Sequence, residues 1–346
     1  MDDWRGVFVI QQVLCSGVNR GVGQLPSTAE ASELLNSVNG TRTPIAALAT
    51  SQGNFFDSQS FDPCVIVNPS DSTKLIMLFT GMAAPVGAGE QKIGRATANV
   101  SSPTVWTVSN GGSPVLTATT GYETGGGGLR ADSLLYNSSD NKLYLFYTAK
   151  ESAAGATCAL ASSSDLGLTW TRLGQIITPT APEETCSGLA VLQEGSTLHG
   201  IYSYRVSSNL LHYRYASAST SSWTTWTKGG VDIYSDGSRQ LEMHKLMKVD
   251  STYLIVYESG SFSPVLDWDI RFATSSSPST AFTRSANNPF FVKSGTIGAF
   301  DRYHVATPQV IAINGFYYLF YCGAIDHSDP VTDNHWQMGI VPLNYA

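Results

Sequence analysis

The chain writes one pattern five times. Each copy opens on an apolar strand: Cys64–Val67, Ser133–Tyr136, Leu189–Leu192, Lys245–Met247 and Val310–Ala312. A polar turn leads to an aromatic strand: LIMLFT at 75–80, LYLFYT at 143–148, LHGIYSY at 198–204, YLIVYE at 253–258 and YYLFYC at 317–322. A third phrase ends in small residues: IGRATA at 93–98, TCALAS at 157–162, LHYRYAS at 211–217 and IRFATS at 270–275. A weaker fourth centres on an aromatic: VWT at 105–107, TWT at 169–171, TWT at 225–227 and AFT at 281–283. A small sheet of this kind has two apolar faces and cannot bury both alone. Stacking the units radially around an axis buries them. The repeat therefore predicts an all-β chain, a five-bladed β-propeller with four-stranded blades.

The blades run over approximately 53–120, 121–180, 181–237, 238–297 and 298–346, in a single domain spanning 1–346. The last copy stops after its third strand, WQMGIV at 336–341, which leaves an unpaired edge. The strand Gly6–Ile10 is expected to fill that edge and close the ring. Residues 11–52 do not follow the repeat. Within them Ser27, with Glu30 three residues later, forms a capping box that predicts a short helix.

Composition narrows the partners. Charged residues make up 14% of the chain, against about 25% in ordinary soluble domains. The net charge is −7 and no cluster of Lys or Arg forms a footprint for nucleic acid. No apolar run reaches the roughly 18 residues of a membrane span. The start, MDDWRGVFVIQQVLCSG, is acidic where a secretory signal would be basic, while the acidic, Lys-poor composition favours an extracellular role. The five cysteines, Cys15, Cys64, Cys158, Cys186 and Cys322, show no metal-ligand spacing and read as small core residues.

In a chain with so few charges, their position matters. The innermost strand of each blade lines the axis, and the residues leading into it gather at one end of the channel. The first unit brings Asp57 and Asp62 there, the second Arg130 and Asp132, and the third Glu183 and Glu184. The fourth brings Arg239, Glu242 and His244, and the fifth Asp301, Arg302 and His304. Every unit supplies a carboxylate at the same point. Such a set suits glycoside hydrolysis, which needs one protonated and one ionised carboxyl. Crowding and burial raise one pKa while an arginine such as Arg130 or Arg302 holds another down. The competing reading is structural: carboxylates at strand starts cap turns or pair with a neighbouring Arg.

The chain resembles the five-bladed propeller glycosidases over roughly residues 53–346, both the arabinanase/β-xylosidase type and, more distantly, the invertase/levanase type. Phe61-Asp62-Pro63 looks like their first-blade Asp-Pro, which implies that Asp62 is the base or the nucleophile. Arg130-Ala131-Asp132 looks like a loosened second-blade Arg-Asp-Pro, which implies that Asp132 orients substrate and tunes the acid. The family acid lies on the third blade, where Glu184 stands, but Glu242 on the fourth blade has the better spacing to its strand. The acid is thus Glu184 or Glu242. Asp57, Arg130, His244, Asp301, Arg302 and His304 are the expected substrate contacts. His304 is also a candidate axial metal ligand, and a structural Ca²⁺ at the axis fits an acidic channel, with no cofactor required. SSDLGLTW at 163–170 resembles the Asp-box of sialidases, in which the Asp, the Gly and the Trp build a hairpin turn. One such box and five units fall short of the six blades and arginine triad that a sialidase-like enzyme implies. The remaining alternative to an enzyme is a propeller that only binds carbohydrate, as a receptor-binding part of a larger assembly would.

Overall fold

The structure, a computed structural model, describes residues 40–50, 53–84, 89–150, 155–206, 211–237, 239–260, 268–325 and 335–343. After the short β1 (Thr43–Pro44), the first unit comprises β2 (Gln59–Val67), β3 (Lys74–Met82), β4 (Lys92–Asn99) and β5 (Ser102–Val108). The second comprises β6 (Leu129–Asn137), β7 (Lys142–Ala149), β8 (Thr157–Ser163) and β9 (Thr171–Ile177). The third comprises β10 (Thr185–Glu194), β11 (Thr197–Arg205), β12 (Leu211–Ser219) and β13 (Ser222–Tyr234). The fourth comprises β14 (Gln240–Val249), β15 (Thr252–Gly260), β16 (Asp269–Ser275) and β17 (Thr283–Arg284). The fifth comprises β18 (His304–Ile313), β19 (Phe316–Ala324) and β20 (Trp336–Leu343). Every unit is an antiparallel meander in chain order. Among the described residues there is no α-helix, and no helix long and apolar enough to cross a membrane.

Among the described residues, two short pairings lie along β20. Thr43 pairs with Ile340 and Pro44 with Gly339, so β1 lies along it. Gln59 of β2 also pairs with Trp336, in parallel, which joins the fifth unit to the first. These residues come partly from the segment that the repeat had left out. The strand expected at Gly6–Ile10, the helix expected from Ser27, and Cys15 lie outside the described residues.

Apolar packing sits between units rather than within them. Along β3, Leu75, Met77 and Phe79 pack with Phe320 and Ile340 of the fifth unit. The alternate residues Ile76 and Leu78 pack with Leu134 and Leu145 of the second. A strand buried on both faces must be apolar at every position, which is why the second phrase of each repeat is a continuous run. Five such clusters straddle successive pairs of units, the last pair being the fifth and the first. Each fully buried Leu or Phe contributes about 1.5–3 kcal/mol. The small residues of the third phrase follow from this packing: a β-carbon on Gly94 would come 2.4 Å from Phe79.

The first strands meet one another in cyclic order, β2 with β6, β6 with β10, β10 with β14, β14 with β18 and β18 with β2. Side chains staple these contacts. Thr80 accepts the Ala131 N–H at 3.0 Å, and Thr148 accepts the Gly188 N–H at 2.9 Å. Gln309 makes two bonds to Val65, accepting its N–H at 2.6 Å and donating to its carbonyl at 3.0 Å. The turn at 163–170 has the expected structural geometry. Asp165 accepts the Leu168 and Thr169 N–H groups, Gly167 has φ +86°, and Trp170 donates to the Gly167 carbonyl.

Gln309 links the fifth unit to the first, and losing it leaves two buried backbone groups of Val65 unpaired. Gln309→Ala is expected to lower the unfolding free energy by about 1–3 kcal/mol, read by urea denaturation.

Candidate functional site

Each first strand carries a β-bulge in its first half. The register shifts fall between Phe61 and Cys64, Ala131 and Ser133, Ser187 and Ala190, Leu241 and His244, and Ala306 and Gln309. A bulge frees a backbone group and re-aims a side chain. The bulged residues are Asp62, Asp132, Gly188, Glu242 and Thr307, with Asp62, Gly188 and Thr307 at positive φ. Three of these five positions bear carboxylates.

Asp132 is fully buried and firmly held. Its Oδ2 accepts from the Thr148 hydroxyl at 2.9 Å and the Leu189 N–H at 3.2 Å, and Arg130 lies 3.8 Å from its Oδ1. Lys245, also buried, donates to the Asp132 carbonyl and reaches the Cys64 sulfur at 3.3 Å. Asp62 is 1% exposed, and neither carboxylate oxygen has a partner of hydrogen-bonding geometry among the described residues. Burial pushes its pKa up to about 7, against the charges of Arg130 and Lys245 and the Thr80 hydroxyl, with Asp132 adding to the rise. Burial likewise pushes the Cys64 thiol up to about 11, so it is neutral.

Glu258 completes the cluster, and the sequence reading missed it. It is the seventh residue of β15. The seventh residue of the other second strands is Thr80, Thr148, Ser203 or Cys322. The departure from a small residue was visible in the repeat, where YLIVYE alone ends in a carboxylate. Glu258 is 3% exposed and accepts the N–H groups of Met243 and Thr307. Burial first, then the charge of Glu242, raises its pKa to about 8, and Asp62 contributes to the rise. Four carboxyls, Asp62, Asp132, Glu242 and Glu258, thus share one region with two cations, Arg130 and Lys245. Burial raises the pKa of two of the four, Asp62 and Glu258, to neutrality or above.

The third unit adds no charge. A β-carbon at Gly188 would stand 2.9 Å from the Ser203 hydroxyl and 3.6 Å from an Arg130 nitrogen, so glycine leaves room for Arg130. His244 adjoins the cluster but is turned away. Its ring nitrogens face the carbonyls of Ile201 and Glu242 at 2.9 and 3.4 Å, and its ring lies 4.0 Å from Tyr213. Burial lowers its pKa to about 4, with the Ile201 and Glu242 carbonyls opposing the shift and the charges of Lys245 and Arg130 adding to it.

The other expected residues do not join this cluster. Glu184 has a half-exposed side chain, 4.0 Å from Arg205. Asp57 accepts the Gly53 N–H within its own loop. Arg302 lies over the ring of Tyr303 at 4.6 Å. His304 accepts the Trp268 N–H at 3.4 Å and sits 5.9 Å from the Trp336 ring. Asp301 accepts from Arg42 at 2.7 Å and from the Tyr321 hydroxyl at 3.0 Å. Its arrangement recurs. Glu123 accepts from Tyr147 and Arg172, and Glu183 from Tyr202, Arg214 and Lys228. Burial opposes ionisation of Glu183, yet Lys228 and the Thr180 N–H hold its pKa below the ordinary value. These loop carboxylates anchor each loop to its own sheet. Of the seven carboxylates expected at the strand starts, Asp62, Asp132 and Glu242 sit at bulges, and Asp57, Glu183 and Asp301 are held in their loops.

No protein-family model matches the sequence, and no curated protein matches it. Solved structures match in fold. The catalytic domain of the GH62 alpha-L-arabinofuranosidase of Coprinopsis cinerea has a TM-score of 0.62 at 14% identity, over 88% of this chain and 98% of that one. A thermostable family-43 glycoside hydrolase gives 0.63 at 13% identity, over 86% and 94%. The alpha-L-arabinanase of Cellvibrio cellulosa, complexed with arabinohexaose, gives 0.60 at 12% identity, over 83% and 93%. The chain shares the β-propeller fold of these glycoside hydrolases.

The raised pKa of Asp62 has a thermodynamic consequence. The folded state binds its proton more tightly than the unfolded state does. The associated stability is complete below the ordinary value of 3.8 and is lost as pH rises toward about 7. Asp62→Asn is therefore expected to leave stability unchanged near pH 4. Above pH 7 it should stabilise the fold, by at most about 4 kcal/mol, read as Tm against pH.

Proposed function

We propose that the chain is a glycoside hydrolase that cleaves a poly- or oligosaccharide at the axis of a five-bladed propeller. The five meanders are its blades, and β1 lies at the closing edge. The observation that carries the reading is the axial cluster itself: four carboxyls and two cations, brought together by bulges in strands far apart in sequence.

In this reading Asp62 is the general base. A base works best with its pKa near the operating pH, and burial puts Asp62 there. It takes a proton from water as the water oxygen bonds to the anomeric carbon. Glu242, partly exposed on the fourth blade, gives its proton to the leaving oxygen as the glycosidic C–O bond breaks. Asp132, fixed by Thr148, Leu189 and Arg130, orients the sugar and keeps the local field constant. Of the two candidates for the acid, the geometry favours Glu242 over Glu184. Arabinan and arabinofuranosyl side chains are the first substrates to try, since the structural relatives include an arabinofuranosidase and an arabinanase. A soluble polysaccharide of that kind is met outside the cell. An axial Ca²⁺ would have to compete with Arg130 and Lys245 for the same carboxylates. Among the described residues no group of three or more His, Cys, Asp or Glu is set to hold a metal.

One observation favours a second reading, a propeller that binds sugar without cleaving it. The third unit places Gly188 at its bulge, so the blade on which the resemblance puts the acid has no axial carboxylate.

Reducing-sugar release from an arabinan, arabinoxylan and aryl-glycoside panel separates the two. Asp62→Asn and Glu242→Gln are each expected to lower kcat/KM by about 10²–10⁴-fold, while Glu184→Gln stays within a few-fold of wild type. Loss confined to Glu184→Gln would return the acid to the third blade. No release by wild type, with retained glycan binding, would establish the second reading.

A further inference from the structure

The fourth unit departs from the other four at two linked places. In the first, third and fifth units the bulge lies opposite the sixth residue of the second strand: Phe79, Tyr202 and Tyr321. In the fourth, Leu241 pairs with Ser259 and His244 with Tyr257, so the bulge lies opposite the seventh residue, Glu258. The bulge has moved one residue along the strand, and the residue facing it is a buried carboxyl. The side chain of Glu258 does what the small hydroxyls Thr80 and Thr148 do in their units: it accepts an N–H from the first strand of the next unit, here Thr307. Its second oxygen accepts the Met243 N–H at 3.1 Å, within the bulge and one residue from Glu242.

We infer that Glu258 is a positioning residue for Glu242: it caps the displaced bulge that presents Glu242, and the two carboxyls act as a pair. This rests on the reading of Glu242 as the acid. When Glu242 gives up its proton it gains a charge beside Glu258. That charge is tolerated only while Glu258 is neutral. Two like carboxylates in a buried site titrate as a unit, not independently. The titratable and charged groups around the pair are Lys245 and His244 on β14, Asp62 on β2, Tyr213 on β12 and Cys322 on β19, with Arg130 and Asp132 on β6 next around the ring. Lys245 and Arg130 are the cations of this set, and Lys245 is engaged with the Asp132 carbonyl.

The test is carboxyl ¹³C NMR titration of Glu-labelled protein, wild type beside Glu258→Gln and Glu258→Thr. The threonine variant restores the residue found at this position in the first two units, which guards against failure to fold. Wild type is expected to show two coupled steps for the pair. Both variants should leave a single step for Glu242, with the second step, about one pH unit or more higher, gone. In activity, both variants should shift the alkaline limb of kcat/KM while KM changes little. A Glu242 titration identical in all three proteins would overturn the inference and leave Glu258 a backbone cap. If no substrate is turned over, the enzyme reading fails, but the coupled titration still decides the pairing.

Discussion

The bulges in the five first strands impose the constraint on which the rest depends. A bulge takes a backbone N–H out of its own ladder, and a buried N–H must find another acceptor. The neighbouring unit supplies the acceptor instead: Thr80 for Ala131, Thr148 for Gly188, Thr307 for Asp62 and Glu258 for Thr307. The same bonds that satisfy the bulges hold the units in their circular order. The bulges also turn side chains toward the axis, so the device that joins the units delivers the carboxylates.

Those carboxylates then face the cost of burial. Asp132 meets it with two hydrogen-bond donors and Arg130, while Asp62, with none of hydrogen-bonding geometry, meets it by holding its proton up to about pH 7. His244 meets it in the opposite sense, by staying neutral down to about pH 4. One small region therefore contains an anchored carboxylate, Asp132, and two carboxyls whose pKa values burial raises, Asp62 and Glu258. Contrast of that kind is the chemical requirement for acid–base work at a single bond.

Much of this was legible in the sequence, for a physical reason. Strands buried on both faces must be apolar throughout, so LIMLFT and its four counterparts announced themselves and fixed the repeat. Asp62, Arg130, Asp132 and Glu242 could be placed because they fall within or beside those strands. Glu184 and Asp301 lie in loops outside the cluster, and a loop acid and an axial acid look alike in a sequence. What separates them is the tyrosine, arginine or lysine that meets the loop acid from elsewhere, as Tyr321 and Arg42 meet Asp301. Glu258 was passed over as the polar end of an aromatic run, and the displaced bulge opposite it has no signature in one dimension. Beside β20, the two residues Thr43 and Pro44 make too short a strand for any periodicity to reveal.

The central claim is that the axial cluster is where the sugar binds. The most direct measurement is a crystal structure of the Glu242→Gln protein soaked with a linear arabino-oligosaccharide. The account predicts a glycosidic oxygen beside residue 242, with Asp62 on the opposite face of the sugar and Asp132 hydrogen-bonded to a ring hydroxyl. An oligosaccharide seated on the outer strands, with the axis holding none, would contradict it.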